Sequence, residues 1–235
     1  MATDIIIVSY KDEPELKICV SSIEKYCTDY KLIIQDNNVN NLGFSAGVNA
    51  CIKKSNSEWI WLLNSDAIVK NEMTQKALIE RFSYSPKVGI VGSMQIDFLN
   101  HDLIRHSGTF RAFPSGAHSG GYLSMGHGQI PTKQKWVNFA SVMIRRSIIP
   151  IVGLLDETMF LLYSDSSYCY SCRFAGLEVW YEPRSQVFHK LKVSKDPTEW
   201  HQKDMIAFMK KWGITTDGKG NFFYSEEFAK LDMFP

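Results

Sequence analysis

Residues 41–66 constrain this chain more than any other stretch. They open with Asn41-Leu42-Gly43-Phe44-Ser45-Ala46-Gly47-Val48-Asn49 and, after a short amphipathic segment, close with Trp59-Ile60-Trp61-Leu62-Leu63-Asn64-Ser65-Asp66. A glycine-containing turn opens a helix, and an apolar strand follows it and stops abruptly at Asn64-Ser65-Asp66. Such a strand delivers Asp66 to the carboxyl edge of a sheet, where open α/β sheets bind their ligands. A carboxylate at that edge can hold a hard cation, and the cation can hold a diphosphate.

The flanking sequence alternates strands and helices. Residues 5–8 and 32–34 read as buried strands, the second ending at Asp36-Asn37-Asn38. Asp12-Glu13-Pro14 starts a helix whose Leu16, Cys19, Val20, Ile23 and Tyr26 share one face. Helices are predicted at 44–55 and at 71–83, the latter with Met73, Ala77, Leu78 and Phe82 inward, and a strand at 88–91. This order predicts an α/β fold with a mostly parallel central sheet and helices on both faces. Residues 97–134 are rich in Gly, Ser, Pro and His and predict short strands and loops. Order returns at 136–144. A helix is predicted from 165 to 175, stopped by Gly176, then a short strand at 179–181. A last helix at 203–212 places Ile206, Met209 and Trp212 on one stripe, and the tail from 214 carries no clear signal. No repeat, low-complexity tract or linker divides residues 1–235, which read as a single domain.

Composition narrows the classes. The chain has 235 residues, 45% apolar and 22% charged, enough to bury a substantial globular core. A net charge of +1 argues against nucleic-acid binding by counterion release. No apolar run approaches the ~20 residues that span a bilayer. Met1-Ala2-Thr3-Asp4 enters a strand without a basic region, so no signal peptide is expected. Five scattered cysteines, Cys19, Cys27, Cys51, Cys169 and Cys172, suit a reducing, cytoplasmic compartment.

Asp36, Asp66, Asp165 and His189 fall at predicted element ends. Singly, each reads equally well as a turn or capping residue. Together, Asp66 and His189 supply oxygen and nitrogen ligands suited to Mn²⁺ or Mg²⁺. Asp165 lies at a predicted helix N-terminus after the run Met159-Phe160-Leu161-Leu162-Tyr163, a suitable place for a general base. The Cys169/Cys172 pair lies inside a predicted helix with no second pair, which argues against zinc. The Trp59/Trp61 alternation reads as core packing. His101, His106, His118 and His127 read as polar contacts in the loop-rich middle, and Lys210-Lys211 as a solvated helix face.

These pieces, in order, resemble the family 2 glycosyltransferases with the GT-A fold (Rossmann-like), especially their rhamnosyltransferase-like branch. The resemblance rests on residues 41–49, on Leu62-Leu63-Asn64-Ser65-Asp66 as a variant DxD motif, and on Ile144-Arg145-Arg146 with residues 152–157. It continues through Tyr163-Ser164-Asp165, Arg173, Ala175-Gly176, Tyr181-Glu182-Pro183, Val187-Phe188-His189 and Ser194, covering about residues 5–213. It implies a nucleotide-binding half at about 1–95, an acceptor and catalytic half at about 96–213, and a tail at 214–235. Ser9, Tyr10, Asp36, Asn38, Asn41, Gly43, Gly47, Asn49, Asn64 and Ser65 would line the nucleotide pocket, Asp36 accepting from a pyrimidine N3–H. Asp66 and His189 would bind the divalent metal, Mn²⁺ or Mg²⁺, and Asp165 would deprotonate the acceptor. The implied reaction is inverting transfer from a UDP- or dTDP-sugar, dTDP-rhamnose being suggested by the branch, to a glycan or lipid-linked acceptor in polysaccharide biosynthesis. Membrane contact would be peripheral at most.

Three departures stand out. Ser164 and Ser167 replace acids that usually flank Asp165, Phe139 replaces a usual Gly, and only Val39-Asn40 separate the two Asn-rich segments, trimming one sheet edge. The two serines keep open the alternative of a catalytically silent sugar-nucleotide or glycan-binding module. A sugar-1-phosphate nucleotidyltransferase is disfavoured by the lack of an early Gly-rich triphosphate loop, and a Rossmann dehydrogenase by the lack of G-x-G-x-x-G after the first strand.

Overall fold

The computed structural model describes residues 2–111, 113, 117–118, 123–190 and 197–233. Strands β1 (Thr3–Ser9), β2 (Tyr30–Asp36) and β3 (Trp59–Leu63) alternate with helices α1 (Glu13–Tyr26) and α2 (Gly43–Lys54). β4 (Ala67–Val69) and α3 (Met73–Phe82) lead to the long β5 (Val88–Asp97). The middle holds β6 (Leu103–His106), β7 (Thr109–Arg111), β8 (Ala117–His118), β9 (Leu123–Ser124) and β10 (Thr132–Lys133). β11 (Ser141–Arg145), α4 (Ile149–Val152), α5 (Ser164–Phe174), β12 (Glu178–His189) and α6 (Pro197–Trp212) follow. The hairpin β13 (Thr215–Thr216) and β14 (Phe222–Phe223) and helix α7 (Glu226–Met233) close the chain.

The main sheet runs β10-β12-β5-β11-β3-β1-β2, with β4 added to β12, β6 to β5 and β9 to β6. β2, β1, β3, β5 and β12 point one way, and β11 lies antiparallel between β3 and β5. The central sheet is thus mostly parallel. The long excursion after β5 lets the chain return from the opposite end, which strand propensity alone does not reveal.

Side chains alternate between two cores. Ile5, Ile7, Trp59, Trp61 and Leu63 face Cys19 and Ile23 of α1 and Leu78 and Phe82 of α3. Ile6, Ile60 and Leu62 face the other way, toward Val48 and Cys51 of α2, Tyr170 of α5, Phe208 of α6 and Phe228 of α7. Burial on both faces explains why these strands read as unbroken apolar runs. Trp59 stacks on Phe82 with centroids 4.6 Å apart, so the tryptophan pair packs the core as expected. Cys169 and Cys172 are free, buried thiols whose pKa values burial raises.

Several elements depart from the sequence reading. β12 runs to His189 instead of ending at 181, because Pro183 falls at an irregularity where the pairing with β5 shifts register between Glu182 and Gln186. α6 turns Asp204 and Phe208 inward, while Ile206 is 62% exposed. The tail is structured: Phe228 is buried and packs against Tyr170, with centroids 5.2 Å apart. Ser194 lies outside the described residues. Among the described residues no helix is long and apolar enough to cross a membrane.

Gly43 fixes the start of α2. Its φ is +76°, and a Cβ there would meet Phe160 Cδ2 at 2.5 Å and the Phe160 carbonyl oxygen at 2.6 Å. Gly153 has a similar φ of +86° but open space around it. Gly43→Ala should therefore cost more than about 1 kcal/mol, and more than Gly153→Ala, in urea unfolding. Equal losses would mean that the Phe160 contact adds nothing.

Candidate active site

Four strand ends assemble the site. β1 ends at Ser9, paired with Asp36 at the end of β2. β3 ends at Leu63, and Asn64 donates its backbone N–H to the Ala140 carbonyl at 2.9 Å. β12 ends at His189, paired with Ala67 on one side and Asp97 on the other. The sheet therefore gathers Ser9, Asp36, Asn64, Ser65, Asp66 and His189 along one edge, as the element ends predict.

At the β1–β2 corner, the Lys11 backbone N–H donates to Asn38 Oδ1 at 2.8 Å, and the Asn38 N–H to Asp36 Oδ1 at 2.8 Å. Lys11 has a φ of 53°, a left-handed turn directly after Tyr10, and Tyr10 is 43% exposed. Asp36 and Asn38 are exposed, so this corner offers an aromatic face and a carboxylate to a ligand. Asp12, which the sequence reading treated only as a helix start, joins this corner to the next. Its carboxylate accepts the hydroxyls of both Ser9 and Ser65. With those protons committed to Asp12, each serine oxygen can act only as an acceptor toward any further group.

Asn41, Gly43, Gly47 and Asn49 form a brace. Asn37 Nδ2 donates to Gly43 O at 3.0 Å, and Asn41 Oδ1 accepts the Gly43 N–H at 3.0 Å. Gly47 lets α2 close on Val8, whose Cγ1 would lie 3.0 Å from an added Cβ. Asn49 is buried; its amide donates to the Leu155 carbonyl at 2.8 Å and to Glu157 Oε1 at 2.9 Å, and its oxygen accepts the Leu155 N–H at 3.0 Å. Its polar atoms are spent inside the protein, on the segment leading to α5.

Asp66 Oδ1 and His189 Nε2 lie 3.3 Å apart and both residues are buried. His189 Nδ1 contacts Gln95 Oε1 at 3.0 Å, which leaves Nε2 for Asp66. Neighbouring ligands of an octahedral cation with ~2.1 Å bonds lie about 3.0 Å apart, close to this separation. The pair fits a divalent cation. Among the described residues no cluster of three His, Cys, Asp or Glu forms, so water or substrate oxygens would complete the shell.

Asp165 occupies the first turn of α5, after Tyr163 in a left-handed conformation with φ 60°. Its Oδ1 accepts the Ser166 N–H at 2.7 Å, and the Phe139 backbone amide also faces the carboxylate. Burial outweighs these bonds and raises its pKa to about 6. Phe139 adjoins Ala140, whose carbonyl accepts the Asn64 N–H, so one backbone segment touches both Asp165 and the end of β3. Ser167 is buried and accepts the Trp212 indole N–H at 3.2 Å, and Ser164 is buried as well. Sequence reasoning missed Asp12, Gln95, Asn138 and Asp204. Gln95 left a signal, a long polar side chain within ten consecutive buried strand residues.

A family model described as Glycosyltransferase like family 2 matches residues 1–205. No curated protein matches the sequence. GalNAc-T7, solved with UDP, GalNAc and Mn²⁺, is similar in structure with a TM-score of 0.71 at 12% identity, over 90% of this chain and 48% of that one. The mannosyltransferase PcManGT from Pyrobaculum calidifontis, in complex with GDP-Man and Mn²⁺, gives 0.64 at 11% identity, over 98% and 68%. S. aureus TarS gives 0.58 at 9% identity, over 86% and 38%. The chain thus spans about half the length of GalNAc-T7, and at these identities the likeness speaks for the fold alone. Fold and family model agree: this chain has the GT-A fold and belongs to glycosyltransferase-like family 2.

Proposed function

We propose that this chain is a metal-assisted inverting glycosyltransferase that moves a sugar from a UDP- or dTDP-linked donor to a hydroxyl of a glycan or lipid-linked acceptor. Among such donors, dTDP-rhamnose is suggested only by the branch its motifs resemble. The observations that support the reading are the Asp66–His189 pair at the ends of β3 and β12, and, at the start of α5, the Asp165 carboxylate beside Phe139 with a pKa raised to about 6. Ser9, Tyr10, Asp36 and Asn38 would bind the nucleotide, and Asn64 and Ser65 would flank its phosphates. Asn41, Gly43, Gly47 and Asn49 would shape that pocket by bracing α2 and the segment before α5. Asp66 and His189 would hold the cation, which as a Lewis acid supplies neutralisation of charge on the leaving diphosphate.

Asp165 would take the acceptor hydroxyl proton while the acceptor oxygen bonds to the anomeric carbon and the sugar–phosphate bond breaks. A pKa near the working pH suits that task. Ser164 and Ser167 are buried and Ser167 accepts the Trp212 indole N–H, while Asp165 itself is retained. This favours an enzyme over a silent binding module.

Asp165→Asn should lower the rate of nucleoside-diphosphate release by about 10²–10⁴-fold while calorimetric donor affinity changes little. Undiminished turnover in that variant would refute the assignment. In the wild type, kcat should rise with pH through about 6 and level off above it, because only the ionised carboxylate accepts a proton.

The same shift affects stability. A raised carboxyl pKa favours folding below the unfolded-state value of about 4, and that contribution is lost as pH rises through about 6. Asp165→Asn should therefore raise the melting temperature at pH 8 and give no comparable gain at pH 4. An equal shift at both would mean that folding does not raise the carboxyl pKa.

Donor recognition is tested with four nucleotides and a chelator. UDP and dTDP should bind more tightly than ADP and CDP by on the order of 1–3 kcal/mol, because the latter lack the N3–H facing Asp36. EDTA, or Asp66→Ala, should weaken all four. Equal affinities would remove Asp36 from base recognition, and indifference to EDTA would remove the metal.

A further inference from the structure

We propose that Gln95 is a positioning residue that fixes the proton of His189 on Nδ1, so that Nε2 turns its lone pair toward Asp66 and the cation they would share. The inference rests on the metal reading above for its use, but its proton assignment stands on hydrogen-bond geometry alone.

The geometry forces each orientation in turn. The backbone N–H of Ala140 donates to Asn138 Oδ1 at 2.9 Å. A backbone N–H can only donate, so the Asn138 atom at that position is the oxygen. The same oxygen lies 3.0 Å from Gln95 Nε2, which must therefore be the amide nitrogen. Gln95 then has one orientation, and its Oε1 is the atom 3.0 Å from His189 Nδ1. A carbonyl oxygen only accepts, so Nδ1 carries the hydrogen. The second ring nitrogen, Nε2, faces the Asp66 carboxylate at 3.3 Å. A lone pair opposite a carboxylate is repulsive unless a proton or a cation lies between them, and in the metal-bound protein a divalent cation would take that place.

Gln95 and His189 are both buried, at 2% and 5% exposure, so water does not compete freely for these bonds. The backbone fixes the distances. β5 and β12 are paired, with Val187 opposite Gln95 and His189 opposite Asp97. The relay thus begins at a main-chain donor and ends at a metal-facing nitrogen, with no rotatable hydroxyl in it. Outer partners of this kind orient metal-ligating histidines and raise their basicity.

The test uses the whole chain labelled with ¹⁵N-histidine, with His189→Gln to assign the signal. In metal-free wild type at alkaline pH, the His189 ring should show the Nδ1–H tautomer. An Nε2–H spectrum would overturn the proposal whatever the metal does. Gln95→Met removes the acceptor at similar volume, and its Mn²⁺ affinity by calorimetry should fall about 10–100-fold with loss of the single tautomer. Gln95→Glu keeps an acceptor for Nδ1–H and should retain Mn²⁺ binding near the wild-type level. A folded Gln95→Met protein with unchanged tautomer and Mn²⁺ affinity refutes the role. Wild type that shows Nδ1–H yet binds no Mn²⁺ would support the proton assignment and strike the metal reading instead.

Discussion

The last residue of β12 is paired on both sides, with Ala67 of β4 and with Asp97 of β5. That double pairing is the constraint on which the site depends. β4 follows directly on Asp66, and the Lys190 N–H donates to the Asp66 carbonyl at 3.2 Å. Two segments more than a hundred residues apart in sequence are thereby held in register, and Asp66 and His189 meet without either side chain having to search for the other. Because side chains in a strand alternate with period two, a one-residue slip of β12 would turn His189 to the other face and scatter the site. The bulge around Pro183 lets β12 meet β5 in two registers, and the second one serves His189.

A second set of contacts fixes the segment that leads into Asp165. Asp204 of α6 is buried, and its carboxylate accepts the backbone N–H groups of Phe160, Leu161 and Leu162 at 2.7–2.8 Å. Hydrogen bonds to a charged acceptor are each worth about 1.5–3 kcal/mol net, so this clamp is strong compared with a typical turn. From the other side Asn49 holds Leu155 and Glu157, and the Phe44 N–H donates to the Phe160 carbonyl at 2.6 Å. The segment between residues 155 and 163 is thus fixed by α2 and α6 before it makes the left-handed turn at Tyr163. That turn aims Asp165 and stores local backbone strain at the site, as functional turns often do.

The sheet and its edge residues were largely legible in the sequence, because strand alternation, helix spacing and a strand ending in Asp66 are local signals. Strand direction was not legible: β11 is apolar whichever way it runs. Pro183 hid most of β12, and Ile206 was assigned inward because its spacing matched Met209 and Trp212, whereas Phe208 and Asp204 take the inner face. The aromatic tail gave no periodic pattern because β13 and β14 are two residues each, yet Phe228 completes the core around Tyr170. Asp12, Asn138 and Asp204 were invisible for another reason. Each makes a contact far along the chain, Asp12 to Ser65, Asn138 to Gln95 and Asp204 to the backbone of residues 160–162, which no spacing rule encodes. Asn49 was legible as a special position, but its polar atoms proved to be committed to the protein itself.

On the proposed reading, one sheet edge would hold a cation between Asp66 and His189 with a nucleoside diphosphate beside it. Crystals grown with Mn²⁺ and UDP test this directly through the anomalous signal of manganese. The expected result is a peak bonded to Asp66 Oδ1 and His189 Nε2, with diphosphate oxygens in its shell and the uracil next to Asp36. Manganese bound elsewhere, or UDP lying away from the edge formed by Ser9, Asp36 and Asp66, would contradict it.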